Sequence, residues 1–213
     1  MRLYLFGADG GVPAGYARCP AESLLFRAHR TARLPAWFGP AVGADGINRF
    51  DLPHRRTARD PGICYLAPSL EGVILETVVR DVRGRVLSVA TLRREHVVTD
   101  VRTTRDLLLI DLMVAPWTVH GVQAGDISGR PPYRDTQRLA ERLVGLTVTE
   151  TGKRSAVAPD GIIYSSRFAP AFECLALWDR AADALVWGAT APLGAEGRAL
   201  AAACNRLGIG LLR

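Results

Sequence analysis

The chain has 213 residues, of which 48% are apolar and 23% charged. These values exclude a disordered or collagen-like polymer and suit one globular domain able to bury its own core. Lys+Arg 27 against Asp+Glu 21 leaves +6, a balance compatible with an anionic partner that does not name one.

Lys153 is the only lysine. Coding bias explains this better than selection for nucleic acid, although arginine's fork remains the side chain best shaped to grip phosphate. Cys19, Cys64, Cys174 and Cys204 lie far apart with no C-x-x-C, which argues against a disulfide framework or a zinc site. The apolar start, Met1 to Gly11, is too short for a signal-peptide core. Leu107–Trp117 is broken by Asp111 and Pro116 and falls short of the roughly 20 residues of a membrane helix. The expectation is a soluble cytoplasmic protein.

In chain order, residues 1–22 are rich in Gly, Ala and Pro and read as a loosely structured lead-in; residues 23–213 read as one domain. Leu24–His29 reads as a strand. Residues 30–61 hold six arginines and four prolines, a long irregular connection of the kind that is usually functional when ordered. Gly62–Ala67 reads as a buried strand, ended by Pro68 and Ser69. Ser69 can cap a helix running from about Leu70 to Arg80. Arg85–Leu92 alternates and predicts a strand, and Leu107–Val114 another. Tyr133–Val144 predicts a helix with Leu139, Leu143 and Val144 on one side. Gly161–Phe168, Cys174–Trp178 and Leu185–Ala189 read as three strands closing a sheet. Ala195–Leu207 reads as a helix stopped by Gly208. Strands and helices mix without strict alternation, which favours an α+β fold with a largely antiparallel or split sheet.

The common signatures are missing. No G-x-G-x-x-G, phosphate-binding G-x-x-x-x-G-K-[ST], H-E-x-x-H or G-x-S-x-G occurs. The arginines are dispersed, with no trace of a nucleic-acid module. Cys64 and Cys174 fall in predicted strands and read as buried, inert thiols.

Three segments stand out: Ile47-Asn48-Arg49-Phe50-Asp51-Leu52-Pro53; Gly62-Ile63-Cys64-Tyr65-Leu66-Ala67-Pro68-Ser69, followed by Leu75-Glu76-Thr77; and Asp160-Gly161-Ile162-Ile163-Tyr164-Ser165-Ser166-Arg167. In this order they resemble the RES-domain family, named for an Arg, a Glu and a Ser. Leu25–Arg30 resembles the family's opening strand and Phe38-Gly39-Pro40 the loop after it, so that the likeness runs from about residue 24 to 180. Many members place glycines before the arginine, where this chain has Asp45-Gly46-Ile47-Asn48.

The resemblance implies an ADP-ribosyltransferase-like fold: a split, mostly antiparallel β-sheet core with flanking helices. It implies NAD+ as substrate rather than bound cofactor, no metal, and inorganic phosphate or water as co-substrate. It also implies a toxin whose partner is an Xre-type helix-turn-helix antitoxin, without direct nucleic-acid or membrane contact. A homo-oligomer is compatible with the sequence, which is silent on oligomeric state. Carried over, the family's arginine is Arg49, its glutamate Glu76 and its serine Ser166, with Ser165 as neighbour. Tyr65 falls on the tyrosine that lines the site, and Arg27 is a secondary candidate. Two alternatives stay open: transfer of ADP-ribose to a protein, and an inactive binding module of the same fold.

The chemistry suits these residue types. Nicotinamide leaves NAD+ neutral, so no acid is needed, and one carboxylate near an oxocarbenium-like ribosyl cation suffices. Two unit charges about 4 Å apart interact by roughly 4 kcal/mol at an effective dielectric near 20. That is on the order of a thousandfold in rate if it acts only in the transition state. Arg49 would grip phosphate, Tyr65 pack a ring, and Ser166 orient the sugar or Glu76.

Pattern alone is blander. Glu76 lies opposite the helix's apolar arc and reads as a solvated glutamate. Gly72, one turn earlier, would leave room for a ligand against the helix. Trp37, Trp117, Trp178 and Trp187 read as core or loop anchors. Arg55, Arg56 and Arg59 read equally as a solvated loop or as phosphate contacts.

Overall fold

A computed structural model describes residues 15–78, 86–113, 132–149, 156–195 and 197–212. Strands β1 (Tyr16–Cys19), β2 (Leu24–Arg30) and β3 (Ile63–Leu66) precede helix α1 (Leu70–Thr77). Strand β4 (Val86–Ser88), helix α2 (Val89–Glu95), β5 (His96–Thr103) and β6 (Leu107–Asp111) follow. Helix α3 (Arg134–Leu143) leads to β7 (Val148–Thr149), β8 (Ala156–Val157), β9 (Gly161–Ser165), β10 (Glu173–Trp178) and β11 (Leu185–Pro192). Helix α4 (Gly197–Arg206) and β12 (Gly210–Leu212) close the described chain.

The main sheet runs β1-β6-β9-β10-β3, antiparallel except for the parallel pair β6–β9. A second, antiparallel sheet runs β11-β5-β2. The two meet at a split, where Phe26 and Ala67 exchange backbone hydrogen bonds of 2.8 and 3.0 Å. The fold is therefore α+β with a split, mostly antiparallel core, as expected.

Period-two alternation decides where the core lies. Along β10, Leu175 and Leu177 enter one apolar cluster, while Cys174, Ala176 and Trp178 enter another. Along β6, Leu107 and Leu109 face the first cluster, and Leu108 and Ile110 the second. The first cluster also takes Leu25, Val101 and Leu185 from the second sheet; the other is covered by Leu139, Ala140 and Leu143 of α3. The main sheet is thus buried on both faces, which explains its nearly continuous apolar strands.

Helix α1 starts where Ser69 Oγ accepts the Gly72 N–H at 3.1 Å, the expected cap. Gly208, just past α4, has φ 65°, the left-handed stop that glycine allows.

Three expectations are corrected. Tyr16–Cys19 is an edge strand of the main sheet rather than a loose lead-in, because its buried residues pair with β6. Arg85–Leu92 is not one strand: the Ser88 side chain accepts the Thr91 N–H and starts α2 at Val89, so only Val86–Ser88 stays extended. Leu185–Pro192 belongs to the second sheet and does not close the first. Its partner β5 was not anticipated, because its polar residues Thr99 and Thr103 are buried and break the alternation of apolar side chains. The expected continuation of α1 through Arg80 lies outside the described residues beyond Val78.

Candidate functional site

A cavity of about 360 Å³ opens at the split between the sheets, within the usual range for small-molecule clefts of about 300–1,000 Å³. It is lined from β2 by Arg27 and His29, from β3 by Tyr65, and from α1 by Glu76. Arg49 comes from the long connection, Tyr164 from β9, and Arg167 and Phe168 from the turn after β9. Glu76 is the only carboxylate among the described lining residues, against five arginines. Such a lining favours an anionic ligand.

Arg49 Nη2 donates to Glu76 Oε2 at 3.2 Å, with the Arg49 and Glu76 side chains 8% and 17% exposed. The other carboxylate oxygen, Oε1, accepts the Arg167 backbone N–H at 2.9 Å. Glu76 is therefore fixed from two sides and is not the solvated residue that helical pattern suggests. The polar side of α1 faces a cleft roofed by the 31–62 connection rather than bulk water. Arg49 also lies 4.6 Å from the centroid of the Tyr164 ring and 5.4 Å from that of Phe50, distances at which an aromatic face attracts a cation. Burial opposes its charge, but Tyr164 and Glu76 outweigh this and raise its pKa above the ordinary arginine value.

The loop carrying Arg49 is held by Asp51, which is 1% exposed. Asp51 Oδ2 accepts the Ile47 N–H at 3.1 Å, the Asn48 N–H at 2.9 Å and the Asn48 side-chain amide at 2.9 Å. Its Oδ1 accepts the Tyr65 hydroxyl at 2.9 Å, and that hydroxyl accepts the Phe50 N–H at 3.0 Å. Burial first, and then the Asp51 carboxylate, push the Tyr65 pKa well above its ordinary value, so the phenol stays a donor. Gln137 of α3 donates to the Gly46 and Asn48 carbonyls at 2.9 and 3.1 Å. These contacts fix the Asp45–Asn48 segment. A Cβ at Gly46 would sit 2.3 Å from the Leu52 carbonyl oxygen, which is why glycine occupies that position.

Ser166 is 1% exposed, and its Oγ accepts the Phe168 and Ala169 N–H groups at 3.2 and 3.3 Å. The hydroxyl thus closes the turn that presents the Arg167 N–H to Glu76, and Ser166 does not line the cavity. Ser165 is half-buried at the end of β9.

Arg27 is buried; its Nη1 donates to the Pro35 carbonyl and, at 2.9 Å, to Cys64 Sγ. Gly72 gives no ligand space: a Cβ there would meet Ser69 Oγ at 2.9 Å and the Phe172 ring at 3.4 Å. Arg55 is a clasp, donating to the Asp60, Phe38 and Pro40 carbonyls and to Asp179. Arg56 and Arg59 are exposed, and neither lines the cavity. Trp178 is buried in the cluster covered by α3, and Trp187, partly buried, packs against the other cluster; Trp37 lines the cavity; Trp117 lies outside the described residues.

The four cysteines are buried and free. Burial raises Cys64 to about 11 and Cys19 to about 12, and lifts Cys174 well above its ordinary value, so these thiols stay protonated near neutral pH. Among the described residues no cluster of metal-ligating side chains occurs, and no helix is long and apolar enough to cross a membrane.

The sequence places Arg49, Glu76, Ser166, Tyr65 and Arg27 in one site; Arg49, Glu76, Tyr65 and Arg27 line this cavity, and Ser166 does not. It gave no role to Asp51, Gln137, Tyr164 or Arg167. Asp51, Tyr164 and Arg167 stand inside the motifs themselves, so that adjacency was a usable signal; Gln137, on a helix 88 residues beyond the Arg49 turn, left none.

No curated protein matches significantly. One chain of the crystal structure of the M. tuberculosis MbcT–MbcA toxin–antitoxin complex shares the fold, with a TM-score of 0.53 at 16% identity, over 85% of this chain and 92% of that one. The RES domain family model matches residues 24–195, most of the chain, and the protein belongs to the RES-domain family.

Proposed function

We propose that this protein cleaves NAD+ at the bond between nicotinamide and ribose, with water or inorganic phosphate as acceptor. The observation that carries the reading is Glu76, a carboxylate held by Arg49 and the Arg167 N–H on the wall of a cavity whose described lining includes five arginines and several aromatic rings but no other carboxylate. Arginines would attract the pyrophosphate, and a lone fixed carboxylate would face the sugar.

In the reaction, the C1′–N bond breaks and nicotinamide leaves neutral with the electron pair. The ribosyl cation is stabilised by Glu76, whose orientation is set before the substrate arrives, so little reorganisation is needed as charge develops. Water then bonds to C1′ and loses a proton to solvent, or a phosphate oxygen forms that bond instead. Tyr65 and Tyr164 supply ring faces, and Ser166 acts through the turn that presents the Arg167 N–H. No serine or cysteine nucleophile is required; the Ser166 hydroxyl is occupied with its own turn.

We also propose that the activity serves as the toxin of a toxin–antitoxin pair with a helix-turn-helix antitoxin. This rests on family membership and on the fold shared with a chain of the MbcT–MbcA complex. Product analysis tests the reading. Nicotinamide with ADP-ribose marks hydrolysis, nicotinamide with a phosphorylated ADP-ribose marks phosphorolysis, and a labelled protein band marks transfer. Intact NAD+ both with and without phosphate contradicts it.

A further inference from the structure

The two oxygens of the Glu76 carboxylate are held by Arg49 Nη2 and by the Arg167 backbone N–H. Both holders are backed by one helix. From α3, Gln137 Nε2 donates to the Gly46 and Asn48 carbonyls at 2.9 and 3.1 Å, in the turn just before Arg49. The Tyr133 ring, where α3 begins, has its centroid 5.6 Å from the Arg167 guanidinium. Tyr133 and Gln137 are four residues apart and so share a helix face; the Gln137 N–H donates to the Tyr133 carbonyl at 2.9 Å. Leu139, Ala140 and Leu143 anchor the rest of α3 against the main sheet.

The contact to the turn has one chemical solution. Two converging carbonyl oxygens need donors, and the primary amide of glutamine offers one N–H to each. Gln137 is 7% exposed, so the contact is made largely out of water, where an unmet carbonyl is costly. Asp51 accepts the Ile47 and Asn48 N–H groups of the same turn. The turn is thus gripped by its donors through Asp51 and by its acceptors through Gln137, and Arg49 follows it directly. Gln137 itself does not line the cavity.

We propose that Gln137 is a positioning residue: through the 46–48 turn it sets Arg49, and through Arg49 the orientation of the Glu76 carboxylate, while Tyr133 steadies Arg167 on the other side. The inference deepens the proposed function and rests on it, since a carboxylate facing a developing cation acts best when its orientation is fixed beforehand.

Nicotinamide release and amide hydrogen exchange, both on the full chain, test this together. Gln137→Leu should lower kcat about tenfold and leave KM within about twofold. Added to Glu76→Gln, it should cost less than about twofold more, because the effect passes through Glu76. The Ile47 and Asn48 amides should exchange about tenfold faster in Gln137→Leu than in wild type. Arg138→Ala, on the exposed side of the same helix, should change none of these. Gln137→Glu keeps the fold in play if the leucine variant does not fold. Ionised, it sets acceptors against acceptors; protonated, it donates once. Its kcat relative to wild type at the same pH should therefore climb as pH falls from about 8 to about 5, a range raised above the ordinary carboxyl value by burial. The proposal is overturned if Gln137→Leu keeps the wild-type kcat, if its loss lies in KM, if the full loss persists beside Glu76→Gln, or if the glutamate variant shows no such recovery. Wild type that releases no nicotinamide would sink the cleavage reading instead; amide exchange then decides the clamp, and unchanged Ile47 and Asn48 rates in Gln137→Leu overturn it.

Discussion

The Tyr65 hydroxyl donates to Asp51 Oδ1 at 2.9 Å, and that carboxylate's other oxygen gathers three N–H donors from Ile47 and Asn48. One strand of the main sheet therefore grips the loop that carries Arg49. Tyr65 offers its ring to the cavity while its polar end is committed to the protein. Tyr65→Phe should cost about 1–3 kcal/mol of stability, because Asp51 loses a donor and the Phe50 N–H loses its acceptor. Asp51→Ala should cost more and lower kcat with it. Chemical denaturation is the check; a Tyr65→Phe protein of unchanged stability and altered KM alone would mean that the hydroxyl serves the ligand instead.

Ser166 allows a sharper distinction. Its Oγ accepts two backbone N–H groups in the turn before Ala169, so Ser166→Ala should destabilise the chain by about 1–3 kcal/mol. It should reduce turnover in part, by loosening the Arg167 N–H on Glu76. Residual activity well above that of Glu76→Gln is expected. Complete loss in a variant with unchanged unfolding would assign the hydroxyl to the chemistry.

The buried thiols give a pH dependence with a definite sign. Cys64 and Cys19 titrate at about 11 and about 12 in the fold, against an ordinary value of 9.0. The unfolded chain therefore loses these protons first, and their contribution to stability is complete below about pH 9 and declines as pH rises towards 12. Denaturant midpoints measured across that window should fall. Below pH 8, iodoacetamide should leave the folded protein unmodified at these positions, and rapid alkylation there would contradict their burial.

Much of this site could be read before the fold was known. Arg49, Tyr65 and Glu76 were legible because ordered motifs carry them, and the apolar runs Leu107–Ile110 and Cys174–Trp178 marked strands of the main sheet. What was not legible has physical causes. Glu76 looks solvated on a helical wheel because the wheel cannot see a distant loop covering the polar face. The strand His96–Thr103 was hidden because Thr99 and Thr103 are buried in hydrogen bonds rather than in apolar packing. Gly72 seemed to leave space for a ligand, yet Phe172, a hundred residues away, closes that side of the helix.

The central claim is that the carboxylate of Glu76 stabilises a ribosyl cation, and the rate of nicotinamide release from NAD+ measures it most directly. Glu76→Gln keeps the shape and a hydrogen-bonding oxygen but removes the charge, so the rate should fall on the order of a thousandfold while the fold persists. A Glu76→Gln protein that releases nicotinamide at close to the wild-type rate would contradict the account.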